Sequence, residues 1–137
     1  MVKHKRMRSD ELSGFTLIEL MVVISIILIL VAIAVPMYQQ SVVRAKEAVL
    51  RQDLKTMRDQ IDNYTMDKEK APQSLQDLVD AGYLRKIPKD PFTGSDETWQ
   101  AENSDTLISL DQTEPGISDV HSGSNLVGSD GTAYSSW

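Results

Sequence analysis

Apolar residues fill positions 15–35 almost without a break, and over these 21 residues Glu19 is the only formal charge. As a helix the stretch would span about 31 Å, close to one bilayer core. Beyond Val35 the pattern changes. Apolar residues recur at Val43, Leu50, Leu54, Met57, Ile61 and Tyr64, and from 50 onward the steps alternate four and three. That spacing makes one apolar stripe on a helix. Arg44, Lys46, Glu47, Arg51, Lys55, Arg58 and Asp59 are assigned to its other faces. One helix is predicted from Phe15 to about Glu69, its second half burying the stripe under the residues that follow. Met57 and Tyr64 on that stripe read as core, not as a cofactor box. Glu47 and Arg51 read as a favourable surface pair four residues apart. Pro36 removes one backbone hydrogen bond and disfavours helix at Val35, so a helix break, as a kink or a melted turn, is expected between Ala32 and Pro36.

The chain after the long helix is polar and punctuated. Ser74 with Asp77 three residues on matches a capping box, and Leu75, Leu78 and Val79 make a short amphipathic helix stopped at Gly82. Pro88, Pro91 and Gly94 mark an irregular loop. Three short strands are expected, at about Thr98–Glu102, Thr106–Leu110 and Ile117–Ser122. The tail from Gly123 to Trp137 is rich in Gly, Ser and Asp, with Tyr134 and Trp137 as aromatic anchors. The fold class is therefore α+β: a long N-terminal helix, transmembrane in its first half, against a small head with a short helix and a three-stranded antiparallel sheet.

Four segments follow: 1–14, 15–35, 36–69 and a head of 70–137. A unit of about 68 residues buries little surface alone and usually needs a staple, a metal or a partner. The chain has no cysteine, so the staple is not a disulfide. Charge is segregated. Residues 1–14 carry Lys3, Lys5, Arg6 and Arg8 against Asp10 and Glu11, a net of +2, while the chain total is −6. From Asp90 onward there are nine acids and no Lys or Arg. Nucleic acid is thus not an expected partner of the head.

A basic start before an apolar run suggests a secretory signal, and Ala32-Ile33-Ala34 offers a cleavage site. Against that, the run exceeds the usual signal core of about 7–15 residues and contains a glutamate, and the helical pattern continues past Pro36. The basic residues should stay cytoplasmic and place the rest outside. A plain signal anchor explains all of this except Gly14 and Glu19.

The stretch Gly14-Phe15-Thr16-Leu17-Ile18-Glu19-Leu20 resembles the leader of type IV pilins and type II secretion pseudopilins. The resemblance implies that a prepilin peptidase cuts between Gly14 and Phe15 on the cytoplasmic side and methylates the new N-terminus at Phe15. Residues 1–14 are then a cleaved leader, and the apolar segment is kept. Glycine lets an extended backbone enter a protease cleft closely. A carboxylate in a membrane helix is a functional candidate by default. In a stacked filament the Phe15 amino group of one subunit could neutralise Glu19 of a neighbour, which assigns both residues to assembly. The bland alternative has Glu19 snorkelling to the interface. For Pro36 the resemblance implies a stretch that loosens on assembly, and a static kink at the membrane surface stands beside it.

The element order, with Gly82-Tyr83-Leu84, Pro88-Lys89-Asp90-Pro91, Asp119-Val120-His121-Ser122 and Trp137, is similar to the major pseudopilin of type II secretion, the G type. The implied protein is a structural subunit, not an enzyme. It would polymerise with itself from the bacterial inner membrane, head in the periplasm, into a rod that drives folded exoproteins through the outer-membrane secretin. Minor pseudopilins, the prepilin peptidase, an assembly ATPase and an inner-membrane platform protein are the implied partners. The alternatives are a type IV pilin or minor pilin for adhesion, motility or DNA uptake, and a membrane-anchored binding module.

The resemblance also implies calcium in the loop after the last strand. The matching segment runs from Ser122 to Gly131, with oxygen donors at Ser122, Asn125 and Asp130. Asp130 is its only carboxylate, which weakens any such site. A metal-free loop closed by its own hydrogen bonds and the Trp137 ring is the other reading. Catalytic constellations are not legible. His4 lies in the leader, and on a strand Ser122 would face away from Asp119 and His121.

Overall fold

The computed structural model describes Val2, residues 14–107 and residues 109–137. The leader assignments at 3–13 lie outside the described residues. The chain divides into two units, residues 1–39 and residues 40–137. Helix α1, Leu17–Lys68, contributes to both.

In the first unit α1 begins two residues after Phe15. Thr16 caps it, its Oγ1 accepting the Glu19 N–H at 3.2 Å. The helix is long and apolar enough to cross a membrane, and its most apolar window is not buried in the protein at all. Within that window the Ser25 hydroxyl donates to the Met21 carbonyl at 2.7 Å, so this polar group needs no outside partner. The helix continues through Pro36. The break expected between Ala32 and Pro36 is corrected in that respect: no turn is melted. Proline holds φ near its helical value and forfeits one hydrogen bond. The run of helix on either side outweighs that loss.

In the second unit the stripe is buried as expected at Leu50, Leu54, Met57 and Ile61, with Tyr64 half-buried. Val43 is exposed and does not belong to it. The core adds Leu78, Trp99, Ile117, Val120 and Tyr134. Helix α2, Leu75–Asp80, forms where the capping pattern placed it. Asp77 Oδ2 accepts the backbone N–H groups of Gln73 and Ser74. The helix closes on Gly82 at φ 84°, with Tyr83 N donating to Leu78 O and Gly82 N to Val79 O. That left-handed closure is why a glycine stands there.

The sheet has two strands among the described residues, β1 (Gln100–Asn103) and β2 (Ile117–His121), antiparallel. Glu102 faces Asp119 and Gln100 faces His121, with an irregularity between Glu102 and Asn103. The middle strand expected at Thr106–Leu110 is a correction: none of its described residues is in a strand. Ser104 Oγ accepts the Thr106 N–H and donates to the Thr106 carbonyl, turning the chain. Leu107 and Leu110 are exposed. With those side chains left unburied, strand propensity has nothing to reinforce it and the turn wins. A short 3-10 helix, η1 (Tyr134–Ser136), ends the chain.

Candidate functional site

Two places carry the sequence-predicted residues. The first is the start of α1. Gly14, Phe15 and Thr16 lie outside any helix, and the Phe15 side chain is exposed. The non-helical backbone at Gly14 and Phe15, where the sequence leads one to expect cleavage, would suit entry into a protease cleft. Glu19 stands in the first helical turn, three residues after its Thr16 cap. An acid there is favoured by the helix dipole, which gives Glu19 a local role in starting the helix as well. That Thr-x-x-Glu spacing was visible in the sequence and is the signal for it.

The second is the C-terminal loop. Two of its three expected oxygen donors have other partners. Ser122 is buried, donates to Asp90 Oδ2 at 2.5 Å and accepts the Ser124 N–H. Asp130 Oδ1 accepts both the N–H and the hydroxyl of Thr132, at 2.9 and 2.7 Å. Those bonds hold the Asp130 carboxyl below its ordinary range, the side-chain bond from Thr132 being the main cause. Asn125 is exposed. The three therefore do not fit a shared calcium site in this arrangement.

The residue that closes the loop is Glu47, which periodicity had assigned to the surface with Arg51. It is buried, 2 % exposed. Its Oε1 accepts the Ser129 N–H and the Tyr134 hydroxyl, both at 2.8 Å, and its Oε2 accepts the Ser129 hydroxyl at 2.6 Å. The Ser129 hydroxyl bond is the largest cause of a lowered Glu47 pKa, outweighing burial. Burial pushes the Tyr134 hydroxyl up to about 12, so it remains a donor. The missed signal was spacing: 47, 50, 54, 57, 61 continues the alternation of three and four backwards by one step. Arg51 stacks over the Trp137 ring, 4.3 Å from its centroid. Tyr134 stacks on Phe92 at 3.8 Å.

Asp90 is the second buried carboxylate, fully enclosed. It accepts from Ser122 Oγ, Gly123 N and Phe92 N, tying the proline-rich loop to the end of β2. Half-buried Asp53 has a raised pKa, from desolvation first and then the neighbouring Asp90 charge. On the sheet, Glu102, Asp119 and His121 bring ligand-type atoms within 4.8 Å of one another. His121 Nδ1 also meets the Trp137 main-chain oxygen at 2.5 Å, and Arg58 bonds Asp119 Oδ1, Val120 O and Trp137 O. Ser122 and His121 thus have separate partners.

The family model for the prokaryotic N-terminal methylation motif matches residues 13–35. The chain is 36 % identical over 102 residues to type II secretion system core protein G of Pseudomonas aeruginosa, covering 63 % of this chain and 72 % of that protein. It is 35 % identical over 99 residues to the protein of the same name from Klebsiella pneumoniae, covering 61 % and 70 %. It is also 43 % identical over 60 residues to the type IV major fimbrial protein FimA of Dichelobacter nodosus, covering 44 % and 38 %. No solved structure is a significant match.

Proposed function

This chain belongs to the type II secretion system core protein G family and is a structural subunit of a secretion pseudopilus; we propose that it polymerises from the inner membrane into a periplasmic rod that pushes folded exoproteins through the secretin. The observation that carries this reading is an uncovered apolar helix segment whose one carboxylate, Glu19, sits in the first turn. Such a surface needs lipid before assembly and other subunits after it. The basic residues before it keep the N-terminus cytoplasmic, and the head is periplasmic.

A prepilin peptidase cuts after Gly14 and methylates Phe15. The freed amino group then meets Glu19 of an adjacent subunit. This pairing sets register more than it adds stability, because desolvation offsets much of the attraction. An assembly ATPase and an inner-membrane platform drive growth, with minor pseudopilins as further partners. A surface pilin is the weaker reading, since the fimbrial match covers 38 % of that protein against 72 % for the secretion protein.

The test is a strain lacking the gene, scored for exoprotein release and for surface motility. Loss of release with motility intact supports the secretion pseudopilus. Normal release with motility lost would replace it with the pilin.

A further inference from the structure

We propose that the C-terminal loop of this chain is closed by the Glu47 carboxylate in place of a calcium ion, so that the unit of residues 40–137 folds without metal. A cation site and an anion site require opposite linings. Calcium draws in carbonyl and carboxylate oxygens, six to eight of them. Here the loop turns hydrogen-bond donors inward. Ser129 presents its N–H and its hydroxyl and Tyr134 its hydroxyl, all three to the Glu47 carboxylate arriving from α1.

Several of the oxygens a cation would use already have partners within the protein. Ser122 is bonded to Asp90, and Asp130 Oδ1 holds Thr132. The Leu126 carbonyl accepts from Tyr134 N, and the Gly128 carbonyl from Gly131 N. Positive charge is already at hand: the Arg51 guanidinium stacks over the Trp137 ring, 4.3 Å from its centroid, and adds to the lowering that the Ser129 hydroxyl bond gives Glu47 and the Thr132 hydroxyl bond gives Asp130. The interior is filled by aromatic rings. A Cβ at Gly128 would lie 2.8 Å from the Trp137 ring and 3.0 Å from that of Tyr134. Among the described residues no buried side-chain N or O atom lacks a partner, so no buried side chain is left waiting for an ion.

The inference does not depend on the secretion role, and its test reads folding alone. The full chain, purified in detergent, is melted in excess EGTA and in about 5 mM calcium, above the range typical of weak extracellular sites. Wild type is expected to melt at the same temperature in both, within about 1 °C. Glu47→Gln keeps the size and removes the charge, and should melt several degrees lower, with no recovery in calcium. Ser129→Ala, which removes one donor, should fall between them. It gives the same reading if Glu47→Gln does not fold. A wild-type rise of about 3 °C or more with calcium would overturn the proposal. So would calcium rescue of either variant, or a Ser129→Ala protein that melts like wild type.

Discussion

The Tyr134 hydroxyl donates to Glu47 Oε1 across 2.8 Å, joining residues 87 positions apart. Glu47 stands on the long helix and Tyr134 near the end of the chain, so this bond helps close the unit of residues 40–137. Both partners are nearly inaccessible to solvent. The carboxylate is held ionised by donors and not by a facing salt bridge.

This makes stability sensitive to acid. The folded pKa of Glu47 lies below its ordinary value of 4.5. Its contribution is therefore fully present above that value and lost as pH falls through the lower, folded one. Midpoints of thermal melts between pH 7 and pH 3 should fall in wild type. Glu47→Gln should start lower and fall less steeply. Parallel curves for the two proteins would remove Glu47 from the acid response.

The Arg58 guanidinium donates to Asp119 Oδ1, Val120 O and the Trp137 main-chain oxygen, and lies 3.5 Å from His121 Nδ1. Lysine keeps the charge but not the planar fork. Arg58→Lys should lose about 1–2 kcal/mol in denaturant unfolding, despite being charge-conserving. The Trp137 end should then show faster hydrogen exchange. An unchanged midpoint would mean that charge alone anchors that end.

Processing is read by mass spectrometry. Gly14 and Phe15 lie in non-helical backbone before the Thr16 cap. Purified protein should begin at N-methylated Phe15. Gly14→Leu should accumulate as an uncut membrane precursor. A chain beginning at Val35 would show ordinary signal cleavage and end the filament model.

Glu19 is the lone carboxylate of the apolar segment. Removing it lifts a desolvation cost, so Glu19→Leu should insert in the membrane at least as well as wild type and still be cleaved. It should assemble poorly, with exoprotein release down by about tenfold or more, as expected where a register-setting partner is lost. Glu19→Gln, similar in size, should share the defect. Fibres and release at wild-type levels in both would leave Glu19 only its place in the helix cap.

Local pattern determines much of this protein without reference to any tertiary contact. Twenty-one nearly uncharged residues specify a membrane-length helix, because their burial in lipid needs no partner elsewhere in the chain. The three-four alternation from Leu50 to Tyr64 specified the core face, and Ser74, Asp77 and Gly82 specified both ends of α2, each through neighbours within a few residues. Tertiary structure decided the rest. Thr106–Leu110 has the composition of a short strand, but Leu107 and Leu110 are exposed and no strand forms among its described residues. Ser122 and Asp130 look like cation ligands until Asp90 and Thr132 engage them. Glu47 is the clearest case. A charge on a helix reads as solvent-facing because burying it alone is costly. That cost is offset here by donors 82 and 87 residues away, at Ser129 and Tyr134. Only the folded chain brings them within reach.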